Sequence, residues 1–203
     1  MIKLYGVPQS RAFRNMWMLG ELGLPYENVK IGFVDGKVVD PQLRRVNPNN
    51  KLPALVDGDT VLFESLAINL YLAEKAGGSL KGANAAETGR IAQWTLWAAT
   101  EIEMALRDWA FNAIVYPPEK RDAAVAEAGR ARIEIAAAVL EAALAGRQWL
   151  AADRFTVADL NVAVVCLWLP RFPDIGNFPN VVAWMERCWA RPAAIAARKL
   201  REG

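Results

Sequence analysis

Residues 47–65 read NPNNKLPALVDGDTVLFES, and this stretch decides the fold of the first part of the chain. Two short apolar runs, residues 52–56 and 60–63, flank the sequence Asp57-Gly58-Asp59. Asp-Gly between short apolar runs is a strong β-hairpin signal, because the turn needs residues that accept a positive φ. Residues 65–75 supply the apolar positions of a closing helix. The stretch therefore predicts a ββα unit.

The residues before this unit predict a strand, a helix and a second strand. Residues 2–5 form a short strand that ends at Gly6-Val7-Pro8, and residues 26–31 form the second strand. Between them, residues 11–22 carry apolar side chains near the helical period. A strand, a helix and a strand within about 30 residues indicate a parallel βαβ unit. A weaker helix near residues 41–46 leads to the hairpin.

The composition changes near residue 80. The first 80 residues contain 5 alanines and the remaining 123 contain 30. Because alanine is the best helix former and a weak strand former, the second part is predicted to be all helical. We therefore expect a first domain at residues 1–78, a linker at 79–83 and a helical domain at 84–203. Its helices are predicted at residues 87–116, 119–145, 155–169, 180–190 and 192–200, the third of them opened by a capping box of Thr156 and Asp159.

Charge and residue usage exclude several classes of function. The net charge is +2, divided evenly between the two parts, so neither nucleic acid nor an anionic membrane is an expected partner. The chain has no histidine, which excludes a Ser–His–Asp triad, histidine-ligated zinc and histidine acid–base catalysis. With two cysteines, a Cys₄ metal site or an iron–sulfur cluster is excluded too. We expect a cytoplasmic protein without a membrane-spanning segment, a metal or a bound cofactor.

Ser10 is the first candidate for chemistry. It follows the first strand and immediately precedes a helix, so its hydroxyl lies beside unsatisfied N–H groups at the positive end of the helix dipole. Such a serine serves either as a plain N-cap or as a donor to a bound anion or thiolate. Its position alone leaves both interpretations open.

Two further features surround the hairpin. At Glu64-Ser65, a hydroxyl and helix N–H groups suit a carboxylate and Glu64 can hold an ammonium group, so the pair matches an amino-acid end. The alternative is a capping pair. Leu52-Pro53 opens a strand, and a cis X-Pro bond there would leave the backbone groups of Leu52 free to pair with a ligand.

Together these features resemble the glutathione transferases, and the resemblance covers essentially the whole chain. The matching motifs are Leu4-Tyr5-Gly6 followed by Ser10, residues 47–55, residues 57–65, and residues 155–159, which resemble the family's C-terminal folding motif. The resemblance implies a thioredoxin-like N-terminal domain of βαβ-ββα order followed by an all-helical C-terminal domain. Among the groups of the family, the chain is similar to bacterial-type, serine-containing members of the phi and theta kind.

The resemblance implies roles for the residues around the hairpin. Pro53 matches the family's cis-proline, so Leu52 would pair with the cysteinyl backbone of glutathione. Glu64 and Ser65 match the residues that bind the γ-glutamyl end of glutathione.

It also implies how the sulfur and the glycyl end are bound. Ser10 matches the serine that donates to the glutathione sulfur, although a shift of the loop by one residue would bring Arg11 to that position. Lys51 lies where phi-like members often carry glutamine, and Lys37 is the basic residue near the expected glycyl subsite.

The implied function is activation of the thiol of glutathione, a co-substrate, for attack on apolar electrophiles. The resemblance also implies a homodimer active in detoxification. An electrophile pocket is expected beside Ser10, against the first long C-terminal helix. Its expected residues are Arg11 and four residues that a 4-3-4 spacing places on one helical face: Ala105, Trp109, Asn112 and Tyr116. Such an aromatic face also fits a core position.

Two other interpretations stay open. One is a different glutathione-dependent reaction, such as isomerisation, dehalogenation or peroxide reduction. The other is a non-catalytic interaction module, since this fold also serves as an assembly domain. The joint presence of Ser10, Pro53, Glu64 and Ser65 favours an enzyme, and the absence of a cysteine at the start of the first helix disfavours a disulfide oxidoreductase.

Overall fold

The computed structural model describes residues 1–33, 36–38 and 40–203, which form two compact units. The first unit contains Met1–Lys81 together with Ala190–Gly203, and the second contains Gly82–Trp189. The last residues of the chain thus group with the first unit, whereas all of residues 84–203 were expected to form the helical domain.

The C-terminal helix α9 (Pro192–Glu202) belongs to the first unit because it packs along α1 (Ala12–Leu22). The close approach depends on Gly20, where a Cβ would lie 3.3 Å from the Cβ of Ala193. Composition does not predict this assignment, because an alanine-rich helix suits either unit.

A four-stranded mixed sheet with the order β2-β1-β3-β4 forms the centre of the first unit. The strands are β1 (Ile2–Tyr5), β2 (Tyr26–Val29), β3 (Ala54–Asp57) and β4 (Thr60–Phe63). β1 is parallel to β2 and antiparallel to β3, and β3 and β4 form an antiparallel hairpin. This topology confirms the predicted βαβ and ββα units, and with them the thioredoxin-like order.

Helices α1, α2 (Pro41–Val46) and α3 (Ser65–Ala76) complete this unit with α9. α2 begins where the Asp40 carboxylate accepts the Gln42 N–H at 2.7 Å, and a short 3₁₀ turn, Gly78–Leu80, follows α3. The sheet and its helices bury their apolar faces against each other. Fully buried side chains of this core include Leu4, Trp17, Leu19, Leu55, Ile68 and Leu72.

The second unit is helical, as predicted. Its α-helices are α4 (Ala85–Trp97), α5 (Glu103–Ala110), α6 (Ala123–Leu144), α7 (Val157–Val165) and α8 (Pro179–Trp189). Its 3₁₀ turns are Pro118–Lys120, Cys166–Arg171 and Ile175–Asn177. Throughout the described parts of the chain, no helix combines the length and the apolar character needed to cross a membrane.

The long helix predicted at residues 87–116 is interrupted twice. π-Helical segments at Ala98–Ile102 and Phe111–Val115 follow α4 and α5. The backbone of Tyr116 is extended, with φ −67° and ψ 147°. Since a π-helical segment has i→i+5 hydrogen bonds, it changes which residues share a face. The expectation that a 4-3-4 spacing places Tyr116 on the same face as Ala105 assumes an uninterrupted α-helix. It therefore does not hold as far as Tyr116.

The predicted capping box opens α7. The Asp159 carboxylate accepts the Thr156 N–H at 3.0 Å, and Thr156 Oγ1 accepts the Ala158 N–H at 3.3 Å. Asp159 Oδ1 also accepts from the Leu150 N–H at 2.9 Å and from Trp184 Nε1 at 3.0 Å. Burial raises the pKa of Asp159, and these donors act in the opposite direction by favouring the ionised form. One buried carboxylate thus joins three segments of the helical unit.

Candidate functional site

Ser10 lies in the turn between β1 and α1, and its side chain is buried. The hydroxyl donates to the Val7 carbonyl at 2.7 Å, and Oγ accepts the Ala12 N–H at 3.1 Å. These are the contacts of a serine that caps the first turn of α1. The Val7 carbonyl also accepts the Ser10 N–H at 2.9 Å. The hydroxyl can therefore rotate toward a ligand without leaving that carbonyl unsatisfied.

Gly6 allows Ser10 and Leu52 to lie close together. Its φ is 135°, in the region that favours glycine. A Cβ on Gly6 would lie 2.7 Å from the Cβ of Ala12, 3.1 Å from Ser10 Oγ and 3.6 Å from Leu52 Cδ2. Because Gly6 has no side chain, the start of α1 and the loop before β3 can pack close together in the first unit.

The Leu52–Pro53 peptide bond is cis, as predicted. Pro53 is buried and Leu52 is half-buried. The loop before them is held by Asn47, whose Nδ2 donates to the Lys51 carbonyl at 2.7 Å and whose Oδ1 accepts the Asn49 N–H at 3.0 Å. This leaves the side chain of Lys51 exposed beside the cis bond.

Glu64 has a strained backbone between β4 and α3. Its φ of 70° and ψ of 108° lie outside the regions that non-glycine residues favour. Such conformations cost roughly 1–3 kcal/mol and cluster at binding sites. The Glu64 side chain is exposed, whereas Ser65, the first residue of α3, is buried. The acidic group therefore faces solvent next to the N-terminus of a twelve-residue helix.

Three polar residues that sequence reasoning missed surround Ser65. Arg14 Nη1 donates to Ser65 Oγ at 3.3 Å. Asn15 Nδ2 donates to the Ser65 carbonyl at 2.8 Å and to Asn69 Oδ1 at 2.7 Å. All four side chains are at least nine-tenths buried. The signal that could have found two of the three is the pair of polar residues, Arg14 and Asn15, inside the apolar stretch of the first predicted helix.

The remaining candidates of the first unit are surface residues. Arg11 directly precedes α1, and its side chain makes no cap hydrogen bond, since the capping oxygen is Ser10 Oγ. Lys37, in the described segment 36–38, is exposed. Among the described contacts, none joins Lys37 to the other candidate residues. Its role in binding the glycyl carboxylate of glutathione therefore stays a prediction.

The candidates of the second unit differ in exposure. Ala105 and Trp109 are buried at the α5–α6 contact, where a Cβ on Gly129 would lie 2.9 Å from the Ala105 carbonyl oxygen. Asn112 and Tyr116 are half-buried. Asn112 Oδ1 accepts the Asp122 N–H at 3.0 Å, which ties the π-helical segment to the start of α6. Trp109 and Asn112 line one cavity of about 420 Å³ within this unit.

Comparison with known proteins covers both parts of the chain. The family model described as Glutathione S-transferase, N-terminal domain, matches residues 1–74, and the one described as Glutathione S-transferase, C-terminal domain, matches residues 104–192. Glutathione S-transferase 3 of Zea mays is 36% identical over 202 residues, which are 95% of this chain and 90% of the relative. Disulfide-bond oxidoreductase YfcG of Escherichia coli (strain K12) is 32% identical over 202 residues, or 95% and 92% of the two chains.

A solved structure shows the same similarity in three dimensions. The structure of glutathione S-transferase-I bound with the ligand lactoylglutathione matches with a TM-score of 0.87 and 32% sequence identity. The match covers 98% of this chain and 99% of that chain.

Proposed function

The chain belongs to the glutathione S-transferase family, and from that premise we propose that it activates the thiol of glutathione for attack on apolar electrophiles, with Ser10 as the donor to the sulfur. The observation that carries this proposal is the approach of Ser10 Oγ and Leu52 across Gly6. This arrangement suits a peptide that pairs with the backbone of Leu52 and directs its side chain toward the serine hydroxyl.

The proposed glutathione clamp uses charge complementarity. The Ser65 hydroxyl and the N–H groups at the start of α3 bind the γ-glutamyl carboxylate, and the exposed Glu64 carboxylate binds the ammonium group. Leu52, after which Pro53 is cis, pairs with the cysteinyl backbone. The exposed ammonium groups of Lys51 and Lys37 attract the glycyl carboxylate.

The energies needed for thiol activation are modest. A free thiol has a pKa of about 8.5, and lowering it by about two units needs about 2.7 kcal/mol of thiolate stabilisation. A hydrogen bond to a charged group supplies roughly 1.5–3 kcal/mol, and a helix N-terminus supplies roughly 0.3–1 kcal/mol more. Ser10 at the start of α1 therefore suffices without a general base. The thiol proton leaves to solvent, the sulfur forms a bond to carbon, and the leaving group departs with its electron pair.

Within the second unit, Trp109 and Asn112 are proposed to contact the electrophile, because both line the same cavity. Ala105 supports this face from the core, since its side chain is fully buried. The apolar ring of Trp109 beside the polar Asn112 side chain suits aryl and alkyl electrophiles.

A homodimer acting in cytoplasmic detoxification completes the proposal. The support for the homodimer is a set of exposed apolar side chains in each unit. Val61 and Phe63 are exposed on the edge strand β4, and Leu96, Ile135 and Val139 are exposed on α4 and α6. An edge strand with exposed apolar residues needs a cover, and a second copy of the chain supplies one.

A second candidate function is reduction of disulfides or peroxides by bound glutathione. The similarity to the relative named a disulfide-bond oxidoreductase favours it. Cys166 and Cys188 are both buried. The reacting thiolate would therefore again be that of glutathione, activated by Ser10, with a second glutathione as the reductant.

The test is to measure glutathione binding first and turnover second. We expect saturable binding and conjugation to 1-chloro-2,4-dinitrobenzene with a KM for glutathione within about 1 μM–1 mM, the usual range for enzymes. Binding with disulfide or peroxide reduction but no conjugation would establish the second candidate. A folded protein that does not bind glutathione would overturn both and favour an interaction module.

A further inference from the structure

The turn that carries Ser10 sets the position of its Oγ. Residues 7–10 form a β-turn, closed by the Ser10 N–H donating to the Val7 carbonyl at 2.9 Å. Pro8 suits the second position of such a turn because its ring presets φ. The Ser10 hydroxyl donates to the same carbonyl at 2.7 Å. A change in the shape of the turn therefore moves the hydroxyl.

Arg201, in the last turn of α9, binds the middle of this turn. Its Nη1 donates to the Pro8 carbonyl at 2.9 Å, and its own carbonyl accepts from Gln9 Nε2 at 3.2 Å. The guanidinium also lies over the ring of Phe13, 5.3 Å from the ring centroid. Burial lowers the pKa of Arg201, yet a guanidinium stays protonated. Arg201 thus contacts residues on both sides of Ser10.

The Pro8 carbonyl is the group whose orientation distinguishes the two common types of β-turn. Types I and II differ by a flip of the central peptide, and type II needs a positive φ at the third position. Gln9 occupies that position and is not among the described non-glycine residues with positive φ, which are Asn50 and Glu64. A donor on the Pro8 carbonyl therefore holds the central peptide in one orientation and opposes the flip.

Arg201 acts from a helix that is fixed at both ends. α1 and α9 have 11 residues each, which is about 16 Å of helix. At the opposite end of α9, Arg191 donates to both carboxylate oxygens of Glu21, at 2.8 and 2.7 Å. Glu21 also accepts from Trp17 Nε1 at 2.8 Å. The position of the Arg201 side chain is thus set by packing along the whole of α1.

We propose that Arg201 is a positioning residue for thiol activation: by holding the Pro8 carbonyl, it keeps the turn at residues 7–10 in shape and Ser10 Oγ in the position from which the hydroxyl can rotate to donate to the sulfur. This rests on the proposed function of Ser10. Loss of the Arg201 guanidinium raises the pKa of the bound thiol but leaves glutathione binding intact, because Leu52 and Ser65 make the binding contacts from other elements.

The test compares Arg201→Met with Arg191→Met in the full chain. Both variants remove a guanidinium that anchors α9, but only Arg201 contacts the turn of Ser10. We expect Arg201→Met to lower the thiolate fraction of bound glutathione about 3- to 10-fold at a pH below the thiol pKa, where one pKa unit is tenfold. The glutathione dissociation constant stays within about twofold of the original. Arg191→Met lowers the unfolding temperature and leaves the thiolate titration unchanged.

Three further results decide the proposal. Arg201→Lys keeps the charge and one donor, so it retains most of the original titration. Equal shifts in both methionine variants would overturn the proposal, because they would reflect a general loosening of α9. An unchanged titration in Arg201→Met also overturns it, provided that Ser10→Ala moves the titration. If Ser10→Ala has no effect either, the proposed function of Ser10 fails instead.

A milder variant covers the case in which Arg201→Met does not fold. Gln9→Ala removes only the exposed hydrogen bond to the Arg201 carbonyl. We expect a smaller rise of the thiol pKa in the same direction, and no rise in a folded Gln9→Ala protein would count against the proposal.

Discussion

Arg14 Nη1 donates to Ser65 Oγ at 3.3 Å, so a buried guanidinium on α1 lies behind the first residue of α3. A guanidinium only donates hydrogen bonds, and the Ser65 oxygen is therefore an acceptor in this contact. The hydroxyl proton must point to a different acceptor. The proposed γ-glutamyl site thus has the Ser65 hydroxyl as a donor and the positive charge of Arg14 behind it. Both suit a carboxylate.

Ser65→Ala is expected to raise the KM for glutathione with little change in kcat. The lost hydrogen bond to a carboxylate is worth roughly 1.5–3 kcal/mol, or about 10- to 150-fold. It is made equally in the ground state and the transition state, so it affects binding. Initial rates at varied glutathione concentration measure this, with the exposed Ser79→Ala as control. Arg14→Met is expected to shift KM in the same direction by less. A fall in kcat at constant KM would contradict the clamp role.

Asp159→Ala is expected to destabilise the protein without changing glutathione affinity. Loss of a helix cap costs about 0.5–2 kcal/mol. The Leu150 N–H and Trp184 Nε1 would also be left buried without an acceptor, at about 1–3 kcal/mol each. Denaturant unfolding measures the loss, and Asp153→Ala, an exposed carboxylate in the preceding loop, is the matched control. Equal stability of the two variants would refute the structural role of Asp159.

Glu87 is expected to make the helical unit sensitive to acid. Hydrogen bonds from Arg154 and from the Ala83 N–H lower the pKa of Glu87 from 4.5 to about 2. A carboxyl group with a lowered pKa in the folded state stabilises it above the unfolded pKa, and the contribution is lost as the pH falls through the folded pKa. The stability difference between the original chain and Glu87→Gln should therefore shrink between about pH 4.5 and pH 2. A difference that is constant over this window would contradict the ion pair's role.

Gly6→Ala is expected to lower both stability and activity. The added Cβ would lie 2.7 Å from the Cβ of Ala12, and the φ of 135° strains any other residue. Strain and overpacking together cost about 2–6 kcal/mol. Gly23→Ala is the control, because its φ of 61° is also positive but a Cβ there meets nothing within 4 Å. If both variants lose the same stability in urea unfolding, the close approach at Gly6 is not what demands glycine.

Local chemistry explains how much of the fold could be predicted from the sequence. The Asp57-Gly58 turn and the capping box at Asp159 each depend on a few neighbouring residues, and each is present. The cis bond before Pro53 is also present, but it was expected from the resemblance to a family and not from its neighbours. The approximate positions of the main helices follow from periodicity in the same way. The π-helical segments were missed because they use the same residue types as an α-helix.

Contacts between distant residues explain what was missed at the site. Arg14 and Ser65 are separated by 51 positions, and Arg201 and Pro8 by 193. Periodicity indicates which face of a helix is buried, but it does not identify the partner on the other side. A charged residue inside an apolar stretch, such as Arg14, signals a buried partner without naming it.

The most direct test of the central claim is the thiolate absorbance of bound glutathione, titrated against pH in Ser10→Ala and Arg11→Ala. Loss of the Ser10 hydrogen bond, worth roughly 1.5–3 kcal/mol, is expected to raise the pKa of the bound thiol by about 1–2 units and to slow conjugation at neutral pH about 10- to 150-fold. Arg11→Ala should leave the titration unchanged. A rise in Arg11→Ala with no change in Ser10→Ala would transfer the role to Arg11, and no change in either variant would reduce Ser10 to a helix cap.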